Sequence, residues 1–420
     1  MNTHLSRRTL LKALGLGSFA MIAPMASALA NTNPKVVVVG GGFAGATAVK
    51  YLKRWGGLSV DVTLVEPNAI YHSPILSNLV LNGQKTTSSL QFTYATHQNK
   101  YGVNVINDRV LSIDKVNKTV LLSGGATIAY DKLILAPGID FIPIAGLDSN
   151  KVPHAWQGGA GIDQLKSQIE TMVDGEDFVM SIPSAPYRCP PGPYERACVV
   201  ADYLKNVKGF ASSRVIVLDE NPDITVEAAM FHAQFAGYGI DYRPNSTVLT
   251  VNSDTKQVDF DENGTPVTLT PKVLNVIPNQ KAAQLLFDTG LVVGNWAPVN
   301  PLSYESTLDS NIHIIGDSQG TGQPKAGHIG NSEAKVCADA VLRILNNLAP
   351  DPAPKTNSAC YSPVSRTAAS WLSAVYEYNP TTQQMQLVAN AGYPKSQYPT
   401  TSNYWDMFNW SGNLFADTFN

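Results

Sequence analysis

The stretch PKVVVVGGGFAGATAVKYLKRWGG, residues 34–57, limits what this chain can fold into more than any other. Four consecutive valines read as a strand buried on both faces, as in a parallel sheet covered by helices. Gly40, Gly42 and Gly45 then form G-x-G-x-x-G, and apolar residues at helical spacing follow. The next strand, VDVTLVE, ends at Glu66, 21 residues beyond Gly45. In a dinucleotide-binding βαβ unit the first glycine permits the turn. The second admits the pyrophosphate against the backbone, and the third lets helix pack on strand. The helix N-terminus then faces the phosphates, and Glu66 is placed to accept from ribose hydroxyls.

Two later segments select the dinucleotide. YDKLILAPG, residues 130–138, is a strand running into Pro137 and Gly138. NIHIIGDS, residues 311–318, is a strand running into Gly316 and Asp317, followed by a loop and a helical pattern. The three fingerprints in this order belong to two-dinucleotide-domain flavoproteins, so the expected cofactor is FAD and not free NAD. Asp317 is the expected partner of the ribityl chain, and the helix after it points its positive end at the isoalloxazine. Lys325, in QPKAG, is either a cation near the flavin N1/O2 edge or an ordinary solvated lysine.

A second βαβ unit departs from its type. Between the strand DFVMSI and the helical run YERACVVADYLKNV lies PSAPYRCPPGPYERA, with five prolines and Cys189 where a glycine-rich phosphate loop is expected. Proline has no N–H to give a phosphate, and its ring blocks close approach. Asp219 still ends the following strand, as a ribose acid would. No NAD(P)H site is expected.

The chain has 420 residues, 44% of them hydrophobic and 15% charged. Lys and Arg number 30 against 33 Asp and Glu, and no basic run marks a nucleic-acid partner. Residues 1–30, with Arg7, Arg8, a short apolar run and a small-x-small end at Ala28–Ala30, have the layout of a Tat-type export signal, which predicts a periplasmic destination. None of the four cysteines, Cys189, Cys198, Cys337 and Cys360, forms CxxC, and no CxxCH occurs, so no zinc ribbon or c-type haem is expected. His72 and His328 have no second ligand at metal spacing, and no metal site is expected. Cys198 and Cys337 fall on apolar helical runs and read as small core residues.

The fold class that follows is α/β: two Rossmann-like dinucleotide-binding domains, in the glutathione-reductase manner, plus a small C-terminal α+β interface domain. Residues 31–148 with 271–345 form the expected FAD domain, 149–270 the second domain, and 346–420 the C-terminal one. The last contains a predicted hairpin, VYEYNPTTQQMQLVAN, and six aromatics between Tyr404 and Phe419. They suit either a small core or an interface.

KVVVVGGGFAGATAVKYL, PHAW, APYRCPPGPYERA, HIIGDS, PKAG and the CYS at 360–362 together resemble the flavoprotein subunit of flavocytochrome c sulfide dehydrogenase, over essentially the whole mature length. Sulfide:quinone oxidoreductases are its wider relatives. The resemblance implies a redox-active disulfide between Cys189 and Cys360 beside the flavin, Glu195 as active-site acid/base, sulfide as substrate and a c-type cytochrome subunit as electron acceptor. Sulfide attack on such a disulfide leaves a persulfide on one cysteine and a thiolate on the other. Two alternatives stay open. One is an accessory flavoprotein of a thiosulfate-oxidising sulfur-carrier system. The other is a sulfide:quinone oxidoreductase, for which the tail, broken by Asn, Asp, Gly and Ser, is a poor anchor.

The sequence departs from the family pattern at one position. Relatives that attach FAD covalently have a cysteine just ahead of an L-S-N triplet. Aligned on Leu76, Ser77 and Asn78, that place is taken here by Pro74. Non-covalent FAD is therefore expected. Acid precipitation of the purified protein checks this: the yellow colour stays in the supernatant, and a yellow pellet overturns the expectation.

Overall fold

The computed structural model describes residues 33–389 and 394–420. The expected export signal at 1–30 lies outside them. From Pro34 onward the chain is one compact unit.

Strand Lys35–Val39 is the middle one of the five parallel strands of a seven-stranded sheet. It pairs in parallel with Asp61–Val65 on one side and Lys132–Leu135 on the other. Asn104–Ile106 extends one side, and Asp309–Ile314, also parallel, extends the other. Val36, Val38, Leu133 and Ile314 are fully buried, as continuous apolar runs in a two-sided sheet require. Helix Phe43–Gly56 packs against helix Gly327–Leu345, so the two ends of this domain, nearly 300 residues apart, share one layer.

The second sheet is wholly parallel. Its order is Asp241–Arg243, Val215–Asp219, Phe178–Ile182, Val273–Asn275. The last strand corrects a boundary: the expected border at 270/271 falls just before a strand that belongs to the second sheet. Val273, Leu274 and Asn275 are buried there, at 0–1% exposure. Three residues are too few to show a period of their own, and the strand is visible only through its partner Phe178–Met180.

The C-terminal segment forms a three-stranded antiparallel sheet, Lys355–Pro363, Ala369–Asn379 and Gln384–Leu387, and the helix Thr401–Phe419. Thr400 caps that helix by accepting from Asn403 N at 3.0 Å. The aromatics of its inner face complete a core. Phe415 and Phe419 stack with Phe43, Phe92 and Tyr71 at centroid distances of 4.6–6.0 Å. Trp405 faces outward, 62% exposed. The last turn is clamped to the first helix. Lys50 Nζ donates to Asp417 O at 2.7 Å, satisfying a carbonyl at the negative end of the helix dipole. Tyr51, Asn331 and Lys335 all converge on the Asp417 carboxylate.

Gly45 shows how tightly the first helix meets the sheet. A Cβ there would lie 1.8 Å from Gly40 O, which only a backbone shift relieves. In the C-terminal helix, Gly412 has open space around its missing Cβ. Gly45→Ala therefore lowers stability by about 1–3 kcal/mol, whereas Gly412→Ala raises it by about 0.5–1 kcal/mol. Urea unfolding midpoints of the two variants should move in opposite directions.

Candidate functional site

A groove of about 790 Å³ opens where the first glycine turn, the 136–138 turn and the 316–317 turn converge. Gly40, Gly42, Glu66, Gly138, Gly316 and Asp317 all line it, as does Pro74. Gly45 does not; it sits behind, at the helix–strand contact. Glu66 is held at the end of its strand. Its Oε2 accepts from Gly41 N at 2.8 Å, and its Oε1 accepts from the backbone and side-chain nitrogens of Asn68 at 2.9 Å. The groove's size, its three glycine turns and the N-terminus of helix Phe43–Gly56 at its floor fit a dinucleotide of FAD's dimensions.

Burial pushes the Asp317 carboxyl upward, against Arg188 and Lys325, which favour its charged form. Arg188 Nη1 stands 3.8 Å from Asp317 Oδ2 and also lines the groove. Lys325 Nζ donates to Gln319 O at 2.7 Å and lies 3.6 Å from the centre of the Trp296 ring. It is 3% exposed and does not line the groove, so it is not the ordinary solvated lysine of the two alternatives. Its contribution to the site is through its carbonyl, which accepts from Cys189 N at 2.7 Å. Beneath the same turn Glu333, fully buried, accepts from Gly316 N and Gln319 Nε2, both at 2.8 Å.

The N–H groups of the proline-rich turn are engaged within the protein. The N–H groups of Ser184, Ala185, Arg188 and Cys189 donate to Asn279, Asn221, Gln280 and Lys325 in turn, at 2.7–3.0 Å. Asp219 is likewise occupied. Its Oδ2 accepts from the Tyr194 and Tyr242 hydroxyls at 2.9 Å, its Oδ1 from Asn221, and none of it is exposed. The acid at the ribose position has become a buried bolt.

Cys189 follows directly on Arg188, with φ +58°. Gly192 lets the turn fold over it: a Cβ at Gly192 would meet Cys189 Sγ at 2.8 Å and the Trp156 ring at 2.9 Å. Cys360 comes from strand Lys355–Pro363, which the His328 ring fixes by accepting from Ala359 N at 2.9 Å. Cys189 and Cys360 are half-buried, and no bond joins them in this structure. Burial raises the Cys189 thiol well above its ordinary value, and Cys360 and Glu195 add to the rise. Cys360 is pushed up to about 12 by burial, then by Glu227 and Glu195. Cys198 and Cys337 are fully buried core residues.

Glu195, in the first turn of helix Gly192–Asp202, is 8% exposed. Asn78 Nδ2 donates to its Oε1 at 2.9 Å and also to Gly192 O at 3.1 Å. Asn78 Oδ1 accepts from Arg196 Nε at 2.9 Å. The guanidinium of Arg196, 1% exposed, makes three further hydrogen bonds, to His154 O, Ala155 O and Asn275 Oδ1, and lies 4.8 Å from the Trp156 ring centre. Asn78 and Arg196 are functional positions that the motif reading passed over. PHAW and the L-S-N triplet contained the signal, but their convergence spans more than 100 residues of chain.

Burial raises the Glu195 carboxyl to about 8, while Asn78 and Arg196 partly offset that rise. The folded protein thus holds a proton here between about pH 4.5 and 8 that the unfolded chain has released. In that window the native state binds more protons, so stability falls as pH rises. Glu195→Gln removes this one contribution. The wild type's loss of unfolding free energy should exceed the variant's by up to about 1.4 kcal/mol per pH unit across that window, measured by urea titrations at pH 5 to 8.

Comparison with known proteins follows the same outline. Residues 162–278 match the central region of the sulfide dehydrogenase [flavocytochrome c] flavoprotein chain, and residues 34–168 match the pyridine nucleotide-disulphide oxidoreductase family. The resemblance read from the motifs is borne out. The first relative, ferroptosis suppressor protein 1 of Taeniopygia guttata, is 32% identical over 106 residues, 25% of this chain and 27% of its own length. Peroxisomal monodehydroascorbate reductase 1 of Oryza sativa subsp. japonica is 25% identical over 302 residues, 67% of this chain and 60% of its own. The chain thus spans only part of each. Among solved structures, the sulfide:quinone oxidoreductase of Aquifex aeolicus superposes with a TM-score of 0.75 over 92% of both chains, at 18% identity. The expected fold class, α/β with two Rossmann-like domains and a small C-terminal α+β segment, is the one observed.

Proposed function

We propose that the chain is the FAD-binding subunit of a periplasmic sulfide dehydrogenase. It oxidises sulfide through Cys189 and Cys360 and passes electrons to a c-type cytochrome subunit. The observation that carries this is the Cys189 turn: a phosphate loop whose N–H groups are taken, presenting a thiol directly behind a groove-lining arginine. The match over residues 162–278 supports it, because that region contains the turn.

The residues divide the work. Gly40, Gly42, Glu66, Gly138, Gly316 and Asp317 would hold FAD, and Pro74 leaves it without a covalent link. The chemistry FAD supplies there is acceptance of an electron pair from sulfur and its release one electron at a time. Arg188 draws hydrosulfide to Cys189. With the cysteines joined, HS⁻ forms a new S–S bond to Cys189, the Cys189–Cys360 bond breaks, and its electron pair stays on Cys360. Glu195, protonated near neutral pH, is the proton donor and acceptor beside Cys189. The engaged turn and the buried Asp219 argue against an NAD(P)H donor. Among the described residues no helix is long and apolar enough to cross a membrane.

Anaerobic titration tests this. Sulfide should bleach the flavin and added cytochrome c should restore it, while NADH leaves it unchanged. Cys189→Ser should abolish bleaching with FAD retained. Bleaching that survives in Cys189→Ser, or that NADH produces and sulfide does not, overturns the proposal.

A further inference from the structure

The sulfur site has a second carboxyl that its proposed chemistry has not used. Glu227 precedes helix Ala228–Tyr238, in the left-handed region at φ +52°, where its carbonyl starts that helix by accepting from Met230 N and Phe231 N at 2.9–3.0 Å. It is 4% exposed, and both carboxylate oxygens are buried without a hydrogen-bond partner. An ionised carboxylate in that condition is penalised, so burial favours the neutral acid and raises the carboxyl to about 7.

Its surroundings connect it to Cys360. On the antiparallel pair, Ser362 is opposite Ser370 and Cys360 is opposite Leu372. Side chains two apart share a face, so Cys360, Ser362 and Ser370 look the same way. Both serine hydroxyls are buried and unpartnered, like the acid. The Ser370 hydroxyl lies beside Glu227 without closing a bond of ordinary geometry. Four groups that could exchange a proton therefore line one buried face. Glu227 acts on Cys360 more strongly than any other charge does, and Glu195 acts on Cys189. The charged and titratable groups facing Glu227 are Cys360 from the strand, Glu195 from the cysteine-turn helix and Lys395 from the segment after the hairpin.

We infer that Glu227 is the proton donor of Cys360, so that each sulfur of the pair has its own carboxyl. The inference rests on the sulfide reading above. When HS⁻ bonds to Cys189 and the S–S bond opens, the electron pair is left on the Cys360 sulfur. The proton of Glu227 moves to that sulfur, directly or through Ser370, and the carboxyl becomes the carboxylate. The proton returns to Glu227 when the Cys360 sulfur bonds to the outer sulfur of the Cys189 persulfide, giving a trisulfide bridge; the electron pair and the persulfide proton released in that step would pass to bound FAD. The direction of transfer agrees with the two groups' affinities: the Cys360 thiol sits at about 12 and the Glu227 carboxyl at about 7.

The test needs no sulfide. The oxidised protein is first mapped by mass spectrometry for the Cys189–Cys360 cross-link, then reduced with a phosphine. Infrared difference spectra of reduced minus oxidised protein should show loss of a protonated-carboxyl band. That loss should be absent in Glu227→Gln and present in Glu195→Gln. In the reduced state, iodoacetamide should alkylate Cys360 about tenfold faster at pH 8 in Glu227→Gln than in the wild type, as removal of one adjacent carboxylate predicts, with Cys189 unchanged. No cross-link overturns the sulfide reading and this inference together. A cross-link with an unmoved Cys360 rate, or a carboxyl band that persists on reduction, overturns the inference alone. If Glu227→Gln folds poorly, the infrared measurement on Glu195→Gln decides the matter: a carboxyl band lost there on reduction supports the inference, and no loss there overturns it.

Discussion

The site depends on one buried cation. Arg196 joins three parts of the chain that are separate in sequence: Asn78 from the FAD-binding segment, the 154–155 backbone that links the domains, and Asn275 from the second sheet. A guanidinium out of water is tolerable only when its donors are met, and here four hydrogen bonds and an aromatic face meet them. The same Asn78 that takes its Nε proton turns its own amide to Glu195 and Gly192. The orientation of the acid, the start of the cysteine-turn helix and the docking of the two dinucleotide folds are therefore set together.

How much of this was legible depended on the range of the interaction. Gly40, Gly42, Gly45, Gly138, Gly316 and Asp317 could be read because a turn of fixed geometry places its demands on adjacent residues. Cys189 stood out because prolines in a phosphate-loop position are a local anomaly, whereas Glu195 came only from the family resemblance. Asn78, Arg196, Glu227 and Glu333 carry no local anomaly; each acquires meaning from partners brought in by tertiary packing. Lys325 was legible only as a choice between a flavin-edge cation and a solvated lysine; its burial against the Trp296 ring and the Gln319 carbonyl is likewise set by tertiary packing.

The two dinucleotide folds show one framework under two different demands. In the first, the space left by missing Cβ atoms at the glycine turns is kept open as a groove. In the second, the corresponding space is filled: asparagine and glutamine side chains take the turn's donors, and two tyrosines take Asp219. Filling the second site makes the turn rigid, and a rigid turn is what aiming a sulfur atom requires.

That rigidity has a thermodynamic signature at Cys189. Its backbone, at φ +58°, is in a region where a side chain is disfavoured by about 1–2 kcal/mol and glycine is at ease. The fold would accept glycine there more readily than the residue it has. Cysteine at this position therefore carries a conformational cost that the rest of the turn must offset.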